Sequence, residues 1–229
     1  MQDSHLVALL QLSSPALPIG GYSYSQGLEA AIDTQLITDE ASAHRWIAQQ
    51  LEWVLTPCEA PVWLLLFDSW GTSNWERLAH WNAWFLASRE TRELRQETEQ
   101  MAWSLVKLAD ELAWGSAQAR DRLLGLQAVV LPTAHAYACW ALGIPRRAGL
   151  AAYLFSWLEN QTMAALKTVP LGQVAGQRIL DQLRLCIPQA CTDASRRAAS
   201  DPPCLHTLAP QLAILSSRHE TQYSRLFRS

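Results

Sequence analysis

Apolar residues recur along this chain at the spacing of one helix face. The clearest run follows i, i+3/i+4, i+7 and stops at Pro170, which does not continue a helix. Its members are Leu150, Leu154, Trp157, Leu158, Ala165, Leu166 and Val169. Alternating, β-branched segments bounded by turns are hard to find. The pattern therefore predicts an all-α protein.

Capping residues and prolines indicate where other helices begin and end. Asp39 is a candidate N-cap for a helix that carries Trp46 and Ile47 and ends before Pro57. The same spacing predicts further helices over residues 6–12, 60–69, 74–87, 90–113, 120–142, 172–187 and 205–216. Residues 192–203 are predicted to form a surface loop. We expect a single-domain compact bundle of about 8–10 helices.

The carboxyl-terminal stretch differs from the rest of the chain. Residues 216–229 are polar and rich in arginine, and no apolar period connects them to the core. Ordering about a dozen residues costs on the order of 10–20 kcal/mol of backbone entropy, which only an extensive partner surface would offset. We therefore divide the chain into a helical domain (residues 1–215) and a flexible, partner-binding tail (residues 216–229).

Composition narrows the class of protein. Hydrophobic residues make up 49% of the 229 positions and charged residues 17%, which excludes a disordered chain. The formal charge of −3 argues against nucleic-acid binding, which usually needs a basic excess. Residues 123–145 carry no formal charge but contain Gln127 and Pro132, so they predict a buried helix and not a membrane span. Five cysteines and no Lys/Arg-rich leader lead us to expect a cytoplasmic protein.

Sequence patterns of catalysis and metal binding are missing. The histidines show no His-x-x-x-His spacing, and the glycines at 20, 21 and 27 lack the Gly-Lys-Ser/Thr ending of a phosphate loop. Glu90, Glu93 and Glu97 lie on one helical stripe, which we interpret as a solvent-facing surface. We expect no catalytic residues, no bound metal and no cofactor. Two alternatives stay open: a small helical enzyme that uses His135, and a direct metal carrier that uses the Cys186/Cys191 region with His206.

Residues 17–29 (LPIGGYSYSQGLE) form a more elaborate loop than a helix connection needs. Its two adjacent glycines permit unusual backbone angles, and its tyrosines are rigid contact residues. Together with residues 89–94 (RETREL), the tail 218–229 (RHETQYSRLFRS) and, more weakly, residues 167–173 (KTVPLGQ), this loop resembles the urease accessory protein UreF family. The resemblance covers nearly the whole chain.

The resemblance implies a function that composition and spacing alone do not give. It implies a non-enzymatic, homodimeric chaperone that binds the UreD/UreH scaffold protein and recruits the GTPase UreG. These proteins together load nickel and a carbamylated lysine centre into apo-urease. The family's tail becomes ordered against the scaffold protein.

Individual residues match the family's partner-binding positions. Tyr22 and Arg225 resemble positions that hold UreG, and Glu29 and Lys167 match polar positions expected to face the GTPase or the nickel path. The complete set that we assign to partner binding is Gly20, Gly21, Tyr22, Ser23, Glu29, Lys167, Arg218, His219, Glu220, Tyr223, Arg225, Leu226 and Phe227.

Overall fold

The chain folds into α-helices joined by short turns, and the computed structural model, which describes residues 2–229, contains no strand within them. The helices are α1 (Asp3–Leu12), α2 (Leu28–Asp33), α3 (Glu40–Gln50), α4 (Ala60–Gly71), α5 (Trp75–Ala87), α6 (Arg92–Glu111), α7 (Ala117–Leu124), α8 (Leu131–Ala141), α9 (Arg146–Thr168), α10 (Gln173–Arg184), α11 (Ile187–Ala199) and α12 (Pro210–His219). The all-α prediction is confirmed. None of these helices is both long and apolar enough to cross a bilayer.

The predicted cap at Asp39 is present. Its carboxylate accepts a hydrogen bond from the Ser42 N–H at 2.8 Å, and the Ser42 hydroxyl accepts one from the Asp39 N–H at 3.0 Å. This reciprocal pair satisfies two N–H groups that the first turn of a helix leaves free. The side chain of Thr91 caps α6 in the same way, by accepting from the Leu94 N–H at 3.2 Å.

The sequence predicted that the helix capped by Asp39 stops before Pro57. This prediction is wrong, because the helical path continues past the proline. A π-helical segment, Leu51–Glu59, contains Pro57 and runs directly from α3 into α4. Pro57 has no backbone N–H to donate, and the hydroxyl of the neighbouring Thr56 donates to the Leu51 carbonyl at 2.7 Å. The wider turn of the π-helical segment accommodates the proline, and the helical path continues past it.

The core is centred on α8, which packs against α4 and α6. Every residue from Pro132 to Cys139 in this helix is buried. Trp63 and Trp70 of α4 are fully buried beside it, and the Trp70 ring lies 4.9 Å from the Tyr137 ring in an edge-on arrangement. Small residues of α8 and large aromatic residues of α4 therefore fill the centre together.

The single helix predicted over residues 120–142 is instead two helices, α7 and α8. Asn82 of α5 separates them because its amide nitrogen donates to the carbonyls of Gln127 and Ala128, at 3.3 and 3.1 Å. Its amide oxygen also accepts from the Val130 N–H at 3.1 Å. These bonds hold the intervening backbone in a loop.

Two further predictions need correction. The segment predicted as a loop over residues 192–203 is helical as far as Ala199, because Cys191, Ala194 and Ala198 form a buried face of α11. The last helix begins at Pro210 and not at residue 205. With the split at α7 and α8 and the short helix α2, residues 2–229 contain twelve α-helices, more than the predicted 8–10.

The structure does not confirm a flexible tail. After α12 the chain turns back over the loop, and Phe227 and Ser229 are both buried. The physical reason is a set of carboxylates on α2 and α6 that bind the tail, described below. The division into residues 1–215 and 216–229 stays a prediction, and α12 crosses that boundary.

Gly149→Ala tests the tight packing of α9 on the core. A Cβ at this position would lie 2.9 Å from Trp63 Cη2 and 3.0 Å from Cys139 Sγ. We expect the free energy of unfolding to fall by about 1–3 kcal/mol, because overpacking outweighs the helix propensity of alanine. Gly71→Ala is the control, since its Cβ would meet nothing within 4 Å. Equal urea denaturation midpoints for the two variants would contradict the prediction.

Candidate functional site

The loop and the tail, which lie at opposite ends of the sequence, meet in one place. We call this the loop–tail site and define it as residues 20–29, residues 218–229, Glu93 and Glu97 of α6, and Lys167 of α9. The structure thus brings together the residues that the sequence assigned to partner binding. It also adds residues that were not assigned, chiefly Glu93 and Glu97.

Two glycines give the loop its shape. Gly20 and Gly27 have φ angles of +76° and +78°, which side chains with a Cβ rarely adopt. Gly27 also approaches α12 closely, since a Cβ there would lie 3.1 Å from Leu212 Cδ1. The loop can therefore turn sharply into α2 and still pack against the helix that leads to the tail.

Glu29 of α2 binds the backbone of the tail. One carboxylate oxygen accepts the Leu226 N–H at 2.7 Å, and the other accepts the Phe227 N–H at 2.9 Å. The residue is only 9% exposed, so these charge-assisted bonds replace water that a free carboxylate would have. Glu29 therefore fixes the conformation of the tail at these two residues.

His219 is fully buried between two carboxylates. Its Nδ1 lies 2.8 Å from an oxygen of Glu93, and its Nε2 lies 3.0 Å from an oxygen of Glu29. Both nitrogens donate when the ring is an imidazolium, which then balances one of the two negative charges. Arg225 donates to the other oxygen of Glu93 at 2.8 Å and brings a second positive charge. The tail thus places a histidine and an arginine against two buried acidic side chains.

Backbone bonds join the end of the tail to the loop. The Ser25 N–H donates to the Ser229 carbonyl at 2.7 Å, and the Arg228 N–H donates to the Ser23 carbonyl at 2.8 Å. Because these bonds join main-chain groups, they hold the two segments side by side without depending on the side chains at these positions.

Glu97 of α6 links the tail to the loop through its two carboxylate oxygens. One of its oxygens accepts the Ser229 hydroxyl at 2.8 Å, and the other accepts the Gln26 amide at 2.6 Å. The Trp157 indole donates in turn to the Gln26 amide oxygen at 2.6 Å. Burial raises the pKa of Glu97 to about 7, and the two hydrogen bonds oppose part of that rise.

Lys167, at the end of α9, contacts the loop and the tail together. Its ammonium lies 5.7 Å from the centre of the Tyr22 ring and 5.6 Å from that of Phe227, within the range of a cation–π interaction. It also lies 3.5 Å from the Tyr22 carbonyl oxygen. The lysine is therefore engaged with its own chain.

Other assigned residues lie on the surface of the site. Tyr22 is 67% exposed, Leu226 is 62% exposed and Tyr223 is fully exposed. Arg218 is exposed, whereas Glu220 accepts the Arg92 N–H of α6 at 3.0 Å. Glu29, His219 and Phe227, by contrast, are buried and hold the site together.

The interpretation of Glu93 and Glu97 as part of a solvent-facing stripe is wrong. Both are only 4% exposed, whereas Glu90, which precedes α6, is exposed. Their burial is possible because His219, Arg225 and Ser229 bind them from the tail. A sequence signal existed in the coincidence of a His and three Arg in one short tail, but it does not identify the acids that they bind.

His135, which the alternative enzyme would use, lies in the core. It is 4% exposed, its Nδ1 accepts the Trp63 indole N–H at 3.1 Å, and burial lowers its pKa to about 4. Of the alternative metal ligands, Cys191 is buried whereas Cys186 and His206 are exposed. Across residues 2–229, no group of three or more His, Cys, Asp and Glu side chains is arranged to hold a metal ion.

Comparison with known proteins decides the family. The UreF family model matches residues 37–184, which is more than half of the chain. The chain belongs to the UreF family. As a member of it, this chain is a urease accessory protein and not an enzyme, and the family resemblance is confirmed.

Similar proteins cover nearly all or all of this UreF-family chain. The urease accessory protein UreF of Bordetella parapertussis is 59% identical over 96% of this chain and all of its own length. That of Cupriavidus metallidurans is 57% identical over 98% of this chain and 97% of its own length. The bifunctional urease accessory protein UreEF of Bordetella bronchiseptica is 59% identical over the whole chain, which spans 53% of that longer protein.

His219→Ala tests the ion network. The change removes the His219 ring that bonds both Glu29 and Glu93, and loss of one partner from a buried pair costs about 3–5 kcal/mol. We expect the tail to leave the loop, so that trypsin cuts after Arg225 and Arg228 at least tenfold faster than in the parent protein. His206→Ala, at an exposed histidine, is the control. Equal cleavage rates for His219→Ala and the parent would contradict the network's role.

Glu97→Gln tests the effect of pH. The folded protein holds a proton on Glu97 more tightly than the unfolded chain, because the pKa is about 7 instead of 4.5. This contribution to stability, at most about 3 kcal/mol, is complete below pH 4.5 and is lost as the pH rises through 7. We therefore expect the parent protein to lose more stability than Glu97→Gln between pH 5 and 8, as measured by urea denaturation. Parallel pH profiles would rule this out.

Proposed function

We propose that this chain is an adaptor in nickel delivery to urease. It would bind the UreD/UreH scaffold protein and the GTPase UreG at the same time, and so bring the nickel-delivering machinery to apo-urease in the cytoplasm. The proposal rests on the family and on one observation, the loop–tail site, in which two distant segments form one ordered surface. A homodimer, which the resemblance also implies, is part of the proposal.

The surface of the loop–tail site has the composition of a protein interface. Tyr22, Tyr223 and Leu226 are exposed apolar or aromatic side chains, and Arg218 and Arg225 add positive charge. Tyrosine and arginine are enriched among residues that dominate binding energy. Because the buried carboxylates already order the tail, a partner that binds it as found here would pay less conformational entropy.

The adaptor's contribution to nickel release would be differential binding. A GTPase partner exists in GTP and GDP states, and an adaptor that binds both equally shifts no equilibrium. Preference for one state at the loop–tail site would couple GTP hydrolysis to release of the metal. In this scheme the nickel is cargo, and the chain supplies positioning and no chemical step.

Arg225→Ala tests the adaptor role. The guanidinium is partly exposed, with 39% of the side chain accessible, and it contacts Glu93. We expect the helices to keep their circular dichroism and the recovery of the scaffold protein and UreG by co-purification to fall at least tenfold. The reason is loss of a partly exposed arginine from the surface of the site.

Arg184→Ala is the matched control for this experiment. Arg184 is an exposed arginine of α10 whose ion pair with Asp181 lies on one helix and adds little stability. It should leave recovery of both partners unchanged. Unchanged recovery with Arg225→Ala would contradict the proposal, as would urease activation that is insensitive to removal of the last twelve residues.

A further inference from the structure

A groove of about 690 Å³ extends from the loop–tail site along α6. Its polar end is lined by Tyr24, Glu93 and Arg228, which all belong to the loop–tail site. Its remaining walls are α6, α7 and the loop that follows α7, and their apolar side chains are those of Trp103, Val106, Leu123, Leu124, Leu126 and Val129. The groove is therefore continuous with the surface that we propose for partner binding.

The apolar end of the groove is open to solvent. Trp103 of α6 is 61% exposed and Leu124 of α7 is 51% exposed, whereas Val106 and Leu123 are buried. Residues 112–116 alone join α6 to α7, so the groove lies on a helical hairpin. Large apolar side chains exposed in one groove indicate contact with another protein, and the groove of a helix pair is filled best by a third helix.

Glu99 of α6 lies between the polar and the apolar end of the groove. It is half-buried and forms no ion pair within residues 2–229. Arg95, one turn earlier, donates to the Arg89 carbonyl at 3.0 Å, and Lys107, two turns later, lies 3.8 Å from Glu111. The basic residues nearest along α6 are thus engaged elsewhere. A cation from another protein would complement this carboxylate.

The polar end of the groove has the opposite charge available. Arg228 is exposed, and its guanidinium forms no ion pair among the described residues. Glu93, which lines the same end, is already bonded by His219 and Arg225. A bound segment would therefore meet an unpaired anion and then an unpaired cation along α6. This order of charges favours one direction of binding over the other.

We propose that this groove binds an amphipathic helix of a partner protein that carries leucine-sized apolar side chains on one face and a lysine or arginine one turn away. Glu99 and Trp103 are separated by roughly 6 Å along α6, which is about one helical turn of the partner. The stretch of α6 from Glu93 to Val106 is about 20 Å long, so a helix of about 13 residues fills it. The inference rests on the proposed adaptor role, because it requires a partner at the adjoining loop–tail site.

A photo-cross-linking experiment identifies the occupant. The amino acid p-benzoylphenylalanine is placed at position 100, where the exposed Gln100 lines the groove, in the full chain co-expressed with the scaffold protein, UreG and the urease subunits. We expect cross-links to one helical segment of the scaffold protein or of UreG, with the apolar face and the basic residue described above. The control has the same probe at position 177, at the exposed Gln177 of α10, and should not capture that segment.

Charge reversal then tests the contact at Glu99. Glu99→Lys should lower the yield of the cross-link at position 100 at least tenfold, whereas Glu76→Lys, at an exposed glutamate of α5, should leave it unchanged. Exchange of the basic residue of the captured segment for glutamate should restore at least half of the yield in Glu99→Lys. A yield that Glu99→Lys does not change, or one that the exchange does not restore, would overturn the proposal.

The cross-links also separate this inference from the adaptor role. Recovery of both partners without a cross-link at position 100 would overturn the groove as a binding site and leave the adaptor role intact. Capture of a second copy of this chain, or of a segment without a basic residue, would have the same meaning. Failure of the parent protein to recover either partner would contradict both proposals.

Discussion

The buried imidazole of His219 between Glu29 and Glu93 is the contact on which the loop–tail site depends. Both acidic side chains are buried and need hydrogen-bonding partners, and the tail provides them through His219, Arg225 and its own backbone. The same contacts therefore order the tail and bury the acids. These contacts also determine where the exposed tyrosines and leucine of the proposed partner surface lie.

The helical bundle holds the two sides of this contact in register. Glu29 lies in the first turn of α2, after the glycine turn, and Glu93 lies in the first turn of α6, which Thr91 caps. On the other side of the loop, Trp157 and Lys167 of α9 contact the loop and, in the case of the lysine, the tail. Core packing among α4, α8 and α9 thus determines where the site can form.

The sequence predicts the helices far better than the site. Periodicity found α9, and the capping pattern found the start of α3 at Asp39, because both signals are local. The continuation through Pro57 was missed because a proline usually ends or kinks a helix, whereas here it lies within a π-helical segment. The break before α8 was missed because Asn82 lies more than 40 residues away from the loop that it holds.

The site residues show the same limit at longer range. Motif resemblance named Tyr22, Glu29, His219 and Arg225, but it carried no geometry. Glu93 looks like any acid on a charged stripe until His219, which is 126 positions later, is placed against it. A local charge pattern cannot distinguish a solvated acid from one buried by a distant cation.

The shared burial of Glu29, Glu93 and His219 also limits how such sequences can diverge. Replacement of either acid by an apolar residue leaves a nitrogen of the buried His219 without its partner, and loss of the histidine leaves both buried acids without one of theirs. Substitutions at these three positions are therefore tolerated jointly more readily than singly. Tyr223 is exposed and bonds no buried group of this kind, so only a binding partner would limit which residues are accepted at its position.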